Sequence, residues 1–119
     1  AYNSSCLDFN EEKISSFSIL EIKNNFLYNI IEKPPINLIK DISDEKFVSM
    51  NIFSFFGDQV YDYLRNCEIN KDRGEIEIAT AIQNMINDRN ESIKVFKICE
   101  HVPDLTYKDD IKLLNNLLK

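Results

Sequence analysis

Three places along this chain carry side chains that could do chemistry together. Glu32-Lys33-Pro34 sets a hydrogen-bond acceptor beside a cation at the end of the apolar run Phe26–Ile31, where proline forces a strand to stop. That pairing suits a phosphorylated polyol, which offers hydroxyls to the acceptor and an anion to the cation. Asn51 puts an amide inside Phe47–Phe56, a run so apolar that the amide needs a partner. Asp104 is a carboxylate directly after Pro103. Each has an ordinary structural alternative. Glu32 and Lys33 could be an exposed ion pair worth little to stability. Asn51 could be a hydrogen-bonded strand residue, and Asp104 a turn residue or helix N-cap.

Other reactive residue types are less well placed. His101 has no Ser or Cys partner set by the sequence, so it reads as a surface residue. Glu75 and Glu77 read as helix-start charges, and Glu11-Glu12-Lys13 as a solvated face. Phe53, Phe55 and Phe56 read as core or interface. Cys6, Cys67 and Cys99 are odd in number and far apart, which points to reduced, inert thiols in a cytoplasmic protein rather than a disulfide framework or zinc site.

The 119 residues form one domain or part of one, with enough Ile, Leu, Phe and Tyr for a modest core. A net charge of −6 argues against a general nucleic-acid binder, which needs a basic face to displace counterions, and leaves room for a nucleotide site served by one or two lysines. No apolar run is long enough to span a membrane, and no signal peptide is evident. The opening Ala1-Tyr2, without an initiator methionine, fits a piece of a longer chain.

Positioning those side chains requires elements that the residue pattern outlines. Residues 1–16 are polar and read as a surface loop or arm preceding a unit over 17–119. Phe17–Ile22 and Phe26–Ile31 flank an asparagine turn and predict a hairpin, since Asn tolerates positive φ. A polar link over Asn37–Lys46 leads to Phe47–Phe56, predicted as a central strand buried on both faces. Gly57-Asp58 ends it, with Asp58 as N-cap of a helix whose stripe is Val60, Tyr63, Leu64 and Cys67. After a turn at Asn70–Gly74, a helix starts near Glu75 and buries Ile78, Ile82, Met85 and Ile86. Ile93–Ile98 predicts a strand and His101–Thr106 a short extended segment. A terminal helix presents Ile111, Leu114 and Leu118. The order of elements predicts an α/β fold, with α+β the alternative, rather than a bundle.

In this order the pieces resemble the C-terminal half of a sugar-1-phosphate nucleotidyltransferase, the nucleotide-sugar pyrophosphorylase family. Ile30-Ile31-Glu32-Lys33-Pro34 is similar to the family's Glu-Lys-Pro strand. Val48-Ser49-Met50-Asn51-Ile52-Phe53 is similar to the strand that follows. Arg73-Gly74-Glu75-Ile76-Glu77-Ile78 resembles the Arg-Gly-Glu stretch opening the next helix. The segment from Asp104 to Ile111 resembles the late Asp-containing segment. The likeness runs over residues 12–119 in register, through motifs that are each short and degenerate.

The resemblance implies an incomplete nucleotidyltransferase-like mixed sheet with a β-hairpin and three flanking helices. It implies a reaction in which the sugar phosphate's oxygen attacks the α-phosphate of a nucleoside triphosphate and pyrophosphate leaves. Lys33 would pair with the sugar phosphate, Glu32 would accept from sugar hydroxyls, Asn51 would bond a hydroxyl, and Asp104 would be one of two Asp ligands to Mg²⁺. The departures are specific. Ile78-Ala79-Thr80 stands where many members have Ile-Thr-Asp, so the sugar contact of that Thr is missing at Ala79. His101-Val102-Pro103 lacks the aromatic that many relatives carry before the Asp. With only Gly57 and Gly74, no phosphate-cradling loop can be built, so this stretch alone is expected to be inactive. The alternative function is a pyrophosphorylase-like regulatory or interaction domain without catalysis. If half a sheet is missing, the piece should self-associate through an exposed sheet edge.

Overall fold

The computed structural model describes residues 1–41, 45–105, 108 and 110–117, with the side chains of 41, 113, 116 and 117 set aside. Its centre is the expected hairpin. Strands β2 (Ile19–Lys23) and β3 (Phe26–Ile31) pair antiparallel, from Ile19 opposite Ile31 to Lys23 opposite Phe26, with a bulge between Glu21 and Ile22. Asn24 (φ 51°) and Asn25 (φ 65°) make the turn, both in the left-handed region that a two-residue hairpin loop needs. Two short strands, β1 (Tyr2–Asn3) and β4 (Phe47–Val48), complete a four-stranded sheet in the order β1-β4-β2-β3, with all ladders antiparallel. The fold is α/β as expected. Five helices accompany the sheet among the described residues: α1 (Glu11–Ser15), α2 (Ile36–Asp41), α3 (Gln59–Arg65), α4 (Ile78–Asp88) and α5 (Asp110–Leu117).

Alternation along the strands builds two cores. Leu20, Leu27, Ile30 and Phe47 pack with Ala79, Ile82 and Ile86 of α4 on one face. Ile19 and Val48, paired across the ladder, pack with Leu7, Ile14 of α1 and Ile39 of α2 on the other. Helices therefore cover both faces. Residues 1–16 are not a loose arm: they supply β1, α1 and the buried Leu7 and Ile14. The link after Pro35 holds α2 over Ile36–Asp41, and residues 42–44 lie outside the described residues.

The expected strand over Phe47–Phe56 survives only at Phe47–Val48. The Ser49 hydroxyl accepts the backbone N–H of Asn51 at 3.1 Å, and Asn51 turns left-handed (φ 54°). A serine turn thus replaces the ladder. Beyond it the chain leaves the sheet: Ile52 is 78% and Phe56 fully exposed, while Phe53 and Phe55 stack at 6.0 Å. Asp58 holds the N-cap position of α3 without a side-chain cap bond. Helix α4 begins at Ile78, three residues later than expected, and buries Ala79, Ala81, Ile82 and Ile86 while Ile78 faces solvent. On α5, Ile111 is exposed and Leu118 lies outside the described residues.

Residues 93–98 are extended but form no continuous strand. Near one end, Leu27 donates to the Ile93 carbonyl and Val95 to that of Asn25, both at 2.8 Å. At the other, Ile98 donates to the Ala1 carbonyl and receives the Asn3 N–H, again at 2.8 Å. Since β1 and β3 are the outer strands, this one segment contacts both edges of the sheet. The Gln83 side chain also accepts the Ile30 N–H at 2.9 Å. Exposed apolar area lies around Ile52, Phe56 and Phe96.

The thiols correct a further expectation. Cys6 and Cys99 form a disulfide, with Cα atoms 5.2 Å apart, and only Cys67 is free. Pairing of β1 with Ile98 brings the two together although 93 residues separate them in sequence. No helix among the described residues is long and apolar enough to cross a membrane.

Candidate functional site

The end of β3 carries the Glu-Lys-Pro residues, and three other segments converge on Glu32. Ser18, buried just before β2, donates its hydroxyl to Glu32 Oε2. Ser18 also accepts the backbone N–H of Ser49 at 2.9 Å, and Ser49 Oγ holds the N–H of Asn51. A continuous set of hydrogen bonds therefore links Glu32 to Asn51 through two buried serines.

The third segment is the turn at Asn70–Glu75. Asn70 Oδ1 accepts the N–H groups of Asp72 (3.0 Å) and Arg73 (3.3 Å). Gly74, at φ 70°, closes the turn with its N–H on the Asn70 carbonyl at 2.7 Å. This geometry aims Arg73 back at the sheet. Its Nη1 lies 2.8 Å from Glu77 Oε1, 3.7 Å from Glu32 Oε1 and 4.0 Å from Glu75 Oε1. One guanidinium thus meets three carboxylates, which leaves Glu32 with acceptor capacity for a ligand. Beneath Glu77, the buried Cys67 thiol faces the Glu68 and Glu77 carbonyls. Burial first, then the Glu68 and Glu77 charges, push its pKa above the ordinary 9.0.

Lys33 is exposed, and its backbone sits at φ 42°. A left-handed lysine directly before proline is unfavourable on both counts, at about 1–2 kcal/mol for the handedness alone. Such strain concentrates at functional positions. Asn51 shares that backbone handedness and lines a hollow of about 380 Å³ with Phe53, Phe55 and Leu64.

Asp104 is held by a different element. Its carboxylate lies 2.5 Å from Lys13 Nζ on α1, and that ammonium is about 6 Å from the rings of Phe9 and Phe17. Lys13 is thus not the solvated charge its neighbours Glu11 and Glu12 suggest. His101 accepts the Asp8 N–H on Nδ1 at 3.0 Å and sets its ring edge-on to Phe9 at 5.5 Å. Among the described residues no group of three or more His, Cys, Asp or Glu could hold a metal. The Asp104 carboxylate, an oxygen donor of the kind Mg²⁺ takes, is engaged here by the Lys13 ammonium. A separate, open polar cleft of about 630 Å³ lies between α3 and α4: Arg89 donates to Gln59 Oε1 at 3.0 Å across it, and partial burial, then the Asp88 carboxylate, raise the Tyr63 phenol pKa.

The structure thus joins Glu32 to Asn51 through bonded serines, keeps Lys33 at the same strand end, and ties Asp104 to α1. Ser18, Ser49 and the reach of Arg73 are missing from the sequence-based site. A serine embedded between Phe17 and Ile19 was the available signal, because a buried hydroxyl needs a partner. No protein-family model, curated protein or solved structure matches this chain.

Proposed function

We propose that this chain is the sugar-binding part of a nucleotidyltransferase that transfers a nucleoside monophosphate from a nucleoside triphosphate to a sugar 1-phosphate, releasing pyrophosphate. The observation that carries this reading is the Arg73–Glu32 approach of 3.7 Å. It brings the Arg-Gly-Glu stretch to the Glu-Lys-Pro strand end, as a shared sugar site requires. The Ser18–Ser49 link adds the segment of Asn51 to the same end of the sheet.

Each residue has a role under this reading. Lys33 extends from a strained, exposed backbone as a compact positive charge for the sugar phosphate. Glu32, pre-oriented by Ser18 and Arg73, accepts from sugar hydroxyls. Asn51 offers its amide at the rim of a hollow whose Phe53 and Phe55 rings suit the apolar face of a sugar. The sugar phosphate oxygen attacks the α-phosphorus, and the bond to the departing pyrophosphate breaks. Mg²⁺, when bound, neutralises phosphate charge. From this chain it would draw on Asp104, which would first have to leave Lys13.

A second reading, a pyrophosphorylase-like interaction domain without catalysis, is favoured by the Lys13–Asp104 pair and by the helices on both faces of the sheet. Titration of the chain with glucose 1-phosphate, followed by backbone amide NMR, separates the two. The nucleotidyltransferase reading expects shifts at Glu32, Lys33 and Asn51 that Lys33→Ala abolishes. Equal binding by wild type and Lys33→Ala, or no shifts at all, would overturn it.

A further inference from the structure

The Cys6–Cys99 disulfide sits where residues 93–98 close the sheet. Cys6 ends the turn directly after β1, and Cys99 directly follows the Ile98 that bonds to β1. The same segment walls an apolar groove of about 320 Å³ lined by Leu20, Leu27, Phe53, Val95 and Ile98. Cys99 is exposed, whereas Cys6 is half-buried. A reductant can therefore approach at Cys99, on the surface, rather than through the core.

We propose that this disulfide is a reducible latch on the 93–99 segment, opened by a dithiol reductant. A thiolate of the reductant attacks Cys99 Sγ, the Sγ–Sγ bond breaks, and Cys6 leaves as a thiolate that takes up a proton. The second thiol of the reductant then attacks the mixed disulfide, forms the reductant's own disulfide and releases Cys99, which is protonated in turn. The protein gains two electrons and two protons, and the dithiol loses the same. The site is prepared for the reduced state. Ser5 Oγ lies 3.9 Å from Cys6 Sγ and can donate its proton to Asn3 Oδ1 at 2.8 Å, so it can accept from the new Cys6 thiol.

After reduction Ile93 and Val95 still pack against the core and the Lys97 ammonium still lies 4.8 Å from the Phe47 ring. The segment keeps its backbone bonds at the two sheet edges, the Asp8–His101 bond, and an exposed Lys97–Glu45 pair at 3.8 Å. The cross-link ties the end of this segment to the turn after β1, and neither core contains a cysteine of the pair, so its loss frees this segment first. Reduction thus loosens one wall of the groove while the sheet and α4 stay packed. This inference does not depend on the transferase reading.

The test is limited trypsin digestion of the chain, oxidised and after dithiothreitol, because the exposed Lys94 and Lys97 lie inside the segment. Cleavage there should accelerate by about tenfold or more on reduction, as expected when a local opening becomes easier. Cys6→Ser and Cys99→Ser should be cut at the fast rate with or without dithiothreitol. Hydrogen exchange at Ile82 and Ile86 gives the control, and it should stay slow in all forms. Equal cleavage rates, a bond that resists dithiothreitol under native conditions, or loss of protection in α4 on reduction would each overturn the latch.

Discussion

Arg73 places one guanidinium nitrogen 3.7 Å from Glu32 and 2.8 Å from Glu77, tying the end of β3 to the residue before α4. The two carboxylates belong to segments that nothing local would bring together. The turn at Asn70–Glu75 does so by presenting Arg73 Nη1 to both carboxylates.

Arg73→Lys should therefore disturb this junction less than Arg73→Ala, since a single ammonium can face both carboxylates as Nη1 does. The ion pairs are partly solvated, so the stability loss should stay near 1 kcal/mol or below. Glucose 1-phosphate affinity should fall further than that, and paired urea melts and binding titrations measure both.

Lys33→Gly should separate strain from function. It relieves a left-handed lysine but frees the unfolded chain, two effects of about 1 kcal/mol each that nearly cancel. Stability in chemical denaturation should stay within about 0.5 kcal/mol of wild type, while binding of the sugar phosphate is lost.

The core should respond according to burial. Ile82→Ala, at a residue only 2% exposed between α4 and the hairpin, should cost about 2–5 kcal/mol. Ile52→Ala, on the exposed stretch after the serine turn, should change stability by no more than about 0.5 kcal/mol.

The hairpin, its Asn24-Asn25 turn and α3 were legible because period-two patterning and asparagine tolerance are local. The long strand after Phe47 was not. Its apolar residues promised burial, but a serine hydroxyl two residues before Asn51 offered the backbone a turn instead. The Cys6–Cys99 pair was illegible because β1 and Ile98 meet only through tertiary pairing. Of the candidate site, Glu32 and Asn51 were singled out by residue type alone. The buried Ser18 and Ser49 between them, and the Lys13 partner of Asp104, depend on the packed fold.

Cys67 gives a pH signature. Burial raises its pKa, so folding favours the neutral thiol. That contribution is complete below the unfolded value and declines as pH rises through the folded one. Urea stability should therefore drop above about pH 9, and Cys67→Ala should flatten the slope. Alkylation of native Cys67 should stay slow until that range.

Pyrophosphate release is the most direct measure of the central claim. The full-length gene product would be supplied with Mg²⁺, a panel of sugar 1-phosphates, and UTP, CTP or dTTP. Turnover should appear with at least one pair and fall by about a hundredfold or more in Lys33→Ala and Asp104→Ala, both still folded. No turnover with any pair, or full activity in both variants, would contradict the assignment of this chain to sugar-phosphate nucleotidyl transfer.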